Sequence, residues 1–279
     1  MDSKQLVALL RQINRRVKSE LSEKKRLRHR VPSREKVLMS FGNATAPFLQ
    51  KKFNLLVWNI HKAKQTGWLD DFIYLASNKD IILLQEAYLR PVMKDFIHAT
   101  RLFQWDLAQG FIRGKKEISA GVMTGSITPP KEVFFLRSPD REPFTKTPKM
   151  AIGTTYRLRN SRHRLLVLNV HGLNFVSLKK FRNHMLQLEV EMAGHQGPII
   201  LGGDFNTWMS QRADFLEEMA YNQQLQLINL YPDNRTRHFG CILDHVFIRG
   251  LDIISAACHP GIRSSDHRPI EMALELREG

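Results

Sequence analysis

Leu201-Gly202-Gly203-Asp204-Phe205-Asn206 is the stretch that says most about the fold, and it directly follows the apolar run Pro198-Ile199-Ile200. The apolar run predicts a buried strand that delivers two polar side chains at its end. Residues two apart on a strand share one face, so the carboxylate of Asp204 and the amide of Asn206 are expected to point the same way. Such a pair suits orienting or deprotonating a water and holding a phosphate oxygen. The alternative is a turn in which both side chains bond their own backbone.

Short apolar runs rich in Val, Ile, Leu and Phe recur through the chain and predict further strands. They are Phe53–Ile60, Asp80–Ala87, Ala120–Ile127, Glu132–Leu136, Met150–Leu158, Arg164–His171, Pro198–Asp204, Leu243–Ile248 and Pro269–Leu276. Helical patterns cover Trp68–Asn78, Leu178–His195 (with Ser177 as its N-cap) and Arg212–Leu225. Consecutive strands without helices across 120–171 indicate hairpins. We therefore expect an α/β protein with mixed sheets and much antiparallel pairing.

Length and composition bound the class of protein. The chain has 279 residues, of which 43% are hydrophobic, enough for a sizeable core. No window of about eighteen consecutive apolar residues predicts a transmembrane helix, and the polar stretch 4–30 does not resemble a signal segment. The two cysteines, Cys241 and Cys258, are expected to be reduced thiols. These features predict a cytoplasmic protein, and we expect a monomer.

The net charge of +15 is concentrated at the N-terminus. Residues 1–52 hold fourteen Lys and Arg against four acids, a net charge of +10. Residues 4–30 predict a basic amphipathic helix that ends before Pro32, and residues 32–52 are predicted to be a linker. The helix has three possible roles: packing on the rest of the protein, lying on an anionic membrane, or binding nucleic acid. We thus divide the chain into this N-terminal unit, 1–52, and a main domain, 53–279.

Several predicted strands begin or end with polar residues of catalytic type. These residues are Asn59, Glu86, His171, Asn174, Asp244, Asp266 and His267. Their recurrence predicts strands that converge on one edge of a sheet and build a site there. Asn59, Glu86 and Asp266 would supply the hard oxygen ligands that Mg²⁺ or Mn²⁺ prefers.

Acid–base roles can be assigned to the remaining polar residues. Asp204 would handle the attacking water, and Asn206 would hold the phosphate or the water. His267, with Asp244 on its second ring nitrogen, would bond a phosphate oxygen or act as a general acid or base. His171 and Asn174 would bind the phosphate from the other side.

The order of these motifs resembles that of the endonuclease/exonuclease/phosphatase (DNase I-like) superfamily. The residues within the motifs most resemble those of its bacterial YafD-like branch. The resemblance covers 53–279 and rests on Asn59, Gln85-Glu86, His171 with Asn174, Gly203-Asp204-Phe205-Asn206, Leu243-Asp244-His245 and Ser265-Asp266-His267. It implies a four-layer α/β/β/α sandwich of two mixed sheets flanked by helices. It also implies metal-dependent hydrolysis of phosphate esters, with Asn59, Glu86 and Asp266 near the metal and an Asp244–His267 pair.

Three positions refine what the resemblance implies. Lys149 precedes a strand at a position where relatives often carry a basic residue near the phosphate. It is therefore expected either to contact the phosphate or to be a solvated residue at the end of the strand. His61 and His171 stand where apurinic endonucleases carry an acid and a Tyr, which weakens an abasic-site repair function. The first hypothesis is therefore a Mg²⁺-dependent nuclease acting on DNA or RNA. The alternatives are a phospholipid hydrolase of sphingomyelinase or phosphoinositide phosphatase type, recruited by residues 4–30, and a non-enzymatic binding module.

Overall fold

Two β-sheets form the centre of the molecule in a computed structural model that describes residues 29–100, 102–114 and 117–277. The first sheet contains β1 (His29–Arg30), β2 (Leu38–Gly42), β3 (Lys52–Asn59), β4 (Ile81–Tyr88), β5 (Gln104–Arg113), β6 (Ile118–Ser126), β15 (Leu251–Cys258) and β16 (Ile270–Leu276). Its order is β1-β5-β6-β4-β3-β16-β15, with β2 also paired to β5. Within this sheet only β3 and β4 run parallel.

The second sheet contains β7 (Glu132–Arg141), β8 (Pro148–Arg157), β9 (Arg164–His171), β10 (Ile199–Asp204), β11 (Gln226–Leu227) and β14 (Asp244–Arg249). Its order is β11-β14-β10-β9-β8-β7, and β9 and β10 are its parallel pair. A separate small pair is formed by β12 (Arg237–His238) and β13 (Cys241–Ile242). The expected mixed sheets with mostly antiparallel pairing are confirmed.

Helices cover the outer face of each sheet. Buried side chains of α1 (Trp68–Ala76) and α2 (Pro91–Ala99) pack on the first sheet, and those of α3 (Leu178–Ala193) and α4 (Ser210–Asn222) pack on the second. Between the sheets, side chains such as Leu55 and Val57 meet Val167 and Ile200 in one fully buried layer. The layers are therefore α/β/β/α, as the family resemblance implies.

The N-terminal boundary differs from the sequence prediction. Of the predicted helix 4–30, residues up to 28 lie outside the described part of the chain, and the last two form β1. Residues 38–42, predicted as linker, are β2 and pair with β5. Val37 and Leu49 on either side are fully buried. Gly42 ends β2 at a φ of 74°, where an added Cβ would lie 2.2 Å from the carbonyl oxygen of Phe103.

Among the described residues, six further elements were not anticipated: α2, β5, β15 and the two-residue strands β11, β12 and β13. The three helices predicted within the described residues are present. Of these, α1 and α3 each end two residues earlier than predicted, and α4 begins two residues earlier and ends three residues earlier. Ser177 occupies the N-cap position of α3 with an extended backbone but makes no side-chain capping hydrogen bond. Among the described residues, no helix is both long enough and apolar enough to cross a bilayer.

Candidate active site

Three neighbouring strands of the second sheet place three predicted site residues side by side. Asp204 ends β10, and its register partners are His171 on parallel β9 and Asp244 on antiparallel β14. Hydrogen-bonded strands lie about 4.8 Å apart, so these residues form one row across the sheet edge. The convergence predicted from the strand ends is present in the structure.

Gly203 allows β10 to approach β9 closely at this edge. Its φ is 145°, and a Cβ at this position would lie 2.0 Å from the carbonyl oxygen of Val170. A side chain here would push the strands apart or twist the backbone that carries Asp204. The glycine preceding Asp204 is therefore a requirement of the strand geometry.

Asp204 combines the two alternatives left open by the sequence. One of its oxygens, Oδ1, accepts a hydrogen bond from the backbone N–H of Asn206 at 2.9 Å, as in an Asx turn. The other, Oδ2, accepts from Asn59 Nδ2 at 2.9 Å and lies 3.4 Å from His171 Nε2. Asn206 lies beside Asp204, but strand alternation is not the cause, because β10 already ends at Asp204. The backbone turns after the strand, and Asn206 adopts a left-handed φ of 55°.

The side chain of Asn206 lines the cavity, and its amide nitrogen is held by the protein. Its Nδ2 donates to the carbonyl oxygen of Gly172 at 3.1 Å and lies 3.4 Å from Asp204 Oδ2. These contacts fix the amide and support Asp204 from the side.

His267 and Asp244 form the predicted pair. Nδ1 of His267 is 2.8 Å from Asp244 Oδ2, and Nε2 is 3.8 Å from Asp204 Oδ2. Burial lowers the pKa of His267, but the carboxylates of Asp244 and Asp204 outweigh burial and raise the pKa to about 10. Burial raises the pKa of Asp204 to about 6, against the opposing pull of His267. The imidazolium of His267 therefore lies between two carboxylates and can deliver a proton through Nε2.

His171 carries a different proton arrangement. Lys149 Nζ lies 2.8 Å from His171 Nε2, and lysine has donors only, so Nε2 accepts and the neutral ring carries its proton on Nδ1. Burial, reinforced by the charge of Lys149, lowers the pKa of His171 well below its ordinary value. Lys149 also lies 3.3 Å from Glu142 Oε1, an ion pair that the sequence reasoning did not identify. Lys149 is thus inside the site and is not a solvated strand end.

Glu86 occupies a strained position at the end of β4. Its φ is 52°, and the register between β4 and β6 shifts between Leu84 and Ala87. Such left-handed backbone is uncommon for a side chain of this size and is often found at functional sites. The shift aims the carboxylate of Glu86 into the same cavity as Asp204.

The predicted metal ligands are of the residue types that a hard divalent cation prefers. Glu86 Oε2 lies 2.6 Å from Lys62 Nζ, so this carboxylate already has a positive charge beside it. Burial alone would raise the pKa of Glu86, but the ammonium groups of Lys62 and Lys149 hold it well below the ordinary value. Asp266 lines the same cavity, and Asn59 Oδ1 accepts from the backbone N–H of His61 at 3.0 Å. The donor set consists of oxygens without sulfur, as Mg²⁺ or Mn²⁺ requires.

A second set of atoms also has metal-ligating geometry. Within the described ranges, Asp204, Asp244 and His267 offer one ligand atom each, all within 4.8 Å of one another. His267 Nδ1 is already bonded to Asp244, so this trio functions better as a proton-handling group than as a complete cation site. The assignment of Asn59, Glu86 and Asp266 as ligands stays a prediction.

Asn174 is held at the cavity wall by its neighbours. Its Oδ1 accepts from Trp208 Nε1 and from the backbone N–H of Phe175, both at 2.8 Å. Because the oxygen is engaged on both sides, the NH₂ group is the part of the amide available to a phosphate oxygen.

A buried arginine that sequence reasoning missed supports these loops. Arg212 on α4 has no exposed surface. Its guanidinium donates to the carbonyl oxygens of Leu173, Asn206 and Val176. It also lies 5.0 Å from the ring centroid of Trp208. In the sequence it resembles any polar residue of an amphipathic helix, so only the fold identifies its role.

Most of the site residues line a single cavity of about 540 Å³, which Asn59 supports from behind. The cavity opens between the ends of the two sheets, with Glu86 and Asp266 contributed by the first sheet side and His171 and Asp204 by the second. A cavity of this size suits a phosphate ester with part of its flanking groups.

Comparisons with known proteins agree with this geometry. Residues 56–267 match the sequence model of the Endonuclease/Exonuclease/phosphatase family. A UPF0294 protein of Vibrio parahaemolyticus is 31% identical over 242 residues, which cover 86% of this chain and 84% of that protein.

Solved structures show the same fold. The endonuclease/exonuclease/phosphatase protein from Beutenbergia cavernae aligns with a TM-score of 0.62 at 16% identity, over 81% of this chain and 72% of that one. The endonuclease domain of TRAS1, a telomere-specific non-LTR retrotransposon, aligns with a TM-score of 0.55 at 17% identity, over 81% of this chain and all of that domain. The match over most of the chain establishes that this protein belongs to the endonuclease/exonuclease/phosphatase family and is similar to its bacterial UPF0294 members.

Proposed function

We propose that this protein is a divalent-metal-dependent hydrolase that cleaves phosphodiester bonds in DNA or RNA. Its family consists of hydrolases of phosphate esters, including nucleases and phosphatases. The observation that carries the proposal is the position of Asp204, a buried carboxylate at a cavity wall, oriented by Asn59 and Asn206 and flanked by two histidines. This arrangement suits the handling of a water that attacks phosphorus.

The chain's own residues supply each step of such a reaction. Asn59 fixes Asp204 so that its Oδ2 accepts a proton from the attacking water. Lys149 and the NH₂ group of Asn174 bind phosphate oxygens on the opposite wall. His267 protonates the leaving oxygen or stabilises charge on the phosphate, and Asp244 keeps its ring oriented. When bound by Asn59, Glu86 and Asp266, a divalent cation would neutralise charge on the phosphate.

Nucleic acid is the substrate class that the charge favours. The net charge of +15 is large for a chain of this length, and a basic balance attracts polyanions. Lys62, Lys149 and Arg113 line the cavity itself. The two free thiols, Cys241 and Cys258, are consistent with the cytoplasmic location that we propose with this function.

A substrate panel tests the proposal. The purified protein is incubated with plasmid, single-stranded DNA and RNA in Mg²⁺ or Mn²⁺, beside the variant Asp204→Ala. We expect cleavage by the wild type that the variant loses by a factor of about 10² to 10⁴, as for removal of a general base. Absence of cleavage, or cleavage that survives in Asp204→Ala, contradicts the proposal.

A lipid substrate is the second candidate, and the basic amphipathic sequence of residues 4–28 favours it. Because β1 and β2 belong to the first sheet, the appropriate truncation removes residues 1–28 and leaves those strands in place. Recruitment by this segment predicts that full-length protein sediments with anionic vesicles and the truncated protein does not. Equal sedimentation of the two removes the main support for a lipid enzyme.

A further inference from the structure

A continuous series of aromatic rings borders the active-site cavity. We call Phe144, Phe175, Trp208 and Phe239 the aromatic wall. Their ring centroids lie 5.5 Å apart for Phe144–Phe175, 6.2 Å for Phe175–Trp208 and 6.5 Å for Trp208–Phe239. Phe144, Phe175 and Phe239 are 79%, 59% and 88% exposed, so the wall is open to solvent instead of being covered by the core.

The backbone holds these rings in place at a cost. Phe175 and Phe239 have φ values of 53° and 50°, a region that bulky side chains seldom adopt. Phe239 forms, with Gly240, the two-residue turn between β12 and β13, where Asn or Gly is the usual residue. Strained backbone that presents exposed aromatic rings is characteristic of a functional surface.

Trp208 is fixed from two sides. Its Nε1 donates to Asn174 Oδ1, and the buried guanidinium of Arg212 lies 5.0 Å from its ring centroid. The wall is therefore tied to Asn174 and is preorganised beside the reacting phosphate. Phe175, Trp208 and Phe239 line the same cavity as Asp204 and His267.

The other side of the cavity carries positive charge. Lys62, which pairs with Glu86, and Arg113 line it from the first sheet side, where the rings of His29 and Phe111 also lie 4.6 Å apart. The aromatic wall therefore stands on one side of the cavity, and the cationic side chains of Lys62 and Arg113 stand on the other. Such a groove matches a chain that has phosphates along one edge and flat bases along the other.

We propose that the aromatic wall binds the unpaired bases of a single-stranded polynucleotide, while Lys62 and Arg113 bind its phosphates. This inference rests on the proposed function and names its substrate class. In a duplex the base faces are already stacked on their neighbours, so rings of the wall would have to displace that stacking first. The structure thus favours single strands, loops or frayed ends over paired nucleic acid.

An anionic membrane is the competing occupant of an exposed aromatic surface. Rings that insert into lipid project from a protruding edge. Here the rings lie next to one another, and Phe175, Trp208 and Phe239 line the cavity that holds Asp204, across from Lys62 and Arg113. This placement favours a ligand that lies inside the groove.

Binding measured without catalysis tests the wall by itself. Fluorescence anisotropy in EDTA gives the affinity for a labelled oligothymidylate of about twelve nucleotides, alone or annealed to its complement. The variants are Phe239→Ala and Phe175→Ala, and the control is Tyr221→Ala, since Tyr221 on α4 is 85% exposed. We expect affinity for the single strand to fall by roughly 5- to 100-fold in the two Phe variants. The control should match the wild type, and Phe239→Trp should retain binding.

The outcomes separate this inference from the proposed function. Unchanged single-strand binding in both Phe variants, or equal wild-type affinity for duplex and single strand, overturns the inference even if nucleic acid is cleaved. A loss of vesicle binding in the Phe variants with oligonucleotide binding intact overturns it in favour of lipid. Wall-dependent binding of the single strand without any cleavage in Mg²⁺ or Mn²⁺ supports the wall and contradicts only the proposed hydrolysis.

Discussion

Replacing Arg212 with methionine tests how the site is held together. The guanidinium reaches backbone carbonyls on two loops, with Nη1 2.9 Å from the oxygens of Leu173 and Asn206 and Nη2 2.6 Å from that of Val176. One loop carries Asn174 and the other carries Asn206. Methionine keeps the length and much of the volume of the side chain but removes every donor.

The magnitude follows from two opposing contributions. A buried carbonyl left without a partner costs about 1–3 kcal/mol, so the three carbonyls together would cost about 3–9 kcal/mol. Removing a buried cation recovers its desolvation penalty, which amounts to several kcal/mol. We therefore expect Arg212→Met to lower the free energy of unfolding by about 3 kcal/mol, with lower kcat because Asn174 and Asn206 lose their support.

Urea unfolding followed by circular dichroism measures the change in the free energy of unfolding. The kinetics of nucleic-acid cleavage measure the change in kcat. Arg162→Met is the matched control, because Arg162 is exposed in the turn between β8 and β9. That control should change stability by less than about 0.5 kcal/mol. The reasoning is refuted if Arg212→Met unfolds at the same urea concentration as the wild type, or a higher one, and retains full activity.

Three further predictions follow from burial, charge and backbone geometry. Burial raises the pKa of Asp204 to about 6, and only the ionised carboxylate can accept a proton from water. We therefore expect kcat to rise with pH through about 6. A flat profile of kcat from pH 5 to 7 would contradict this prediction. His184 is fully buried, neither of its ring nitrogens bonds any of the described residues, and burial lowers its pKa from 6.5 to about 3. The unfolded chain therefore binds a proton at His184 more readily than the folded protein does. The stability that the neutral ring contributes is complete above pH 6.5 and is lost as the pH falls towards 3, at up to about 1.4 kcal/mol per pH unit. Circular dichroism should show a lower acid-unfolding midpoint for His184→Met, and an unchanged midpoint would exclude this contribution. Gly203→Ala places a Cβ 2.0 Å from the carbonyl oxygen of Val170, so this variant should lose cleavage and unfold at a lower temperature. In the control Gly194→Ala the nearest atom lies 3.9 Å from the added Cβ, and neither change is expected.

The sequence predicts the parts of this protein in which local pattern and tertiary position agree. Apolar runs such as Ile199–Leu201 become buried strands, and the polar residues at their ends converge because β9, β10 and β14 are neighbours in register. The row of His171, Asp204 and Asp244 was therefore predictable from strand ends alone. The Asp244–His267 contact follows from residue types and from the family resemblance.

Other parts depend on the folded context. β5 was missed because Gln104, Asp106 and Gln109 break its apolar pattern, although Asp106 and Gln109 are buried in the sheet. β15 is largely apolar in sequence, but its apolar residues do not alternate regularly with polar ones, and most of its residues are exposed at the edge of the sheet.

The supporting charges of the site were missed for a similar reason. Lys62 reaches Glu86 through a backbone turn with φ of 61°, and no sequence pattern announces that turn. Glu142 resembles a surface acid until the fold brings it to Lys149 and the backbone of Asn174. Long-range pairs of this kind are set by loops between strands, where local pattern carries little information.

The central claim is that a water handled by Asp204 attacks the phosphorus of a nucleic acid. Cleavage of a single-stranded oligonucleotide in H₂¹⁸O with Mg²⁺ or Mn²⁺, followed by mass spectrometry of the products, tests it most directly. The account predicts one ¹⁸O atom in the terminal phosphate of the cleaved product, formed by the wild type and lost in Asp204→Ala. Products without ¹⁸O in the phosphate, or labelled products formed equally by Asp204→Ala, would contradict the account.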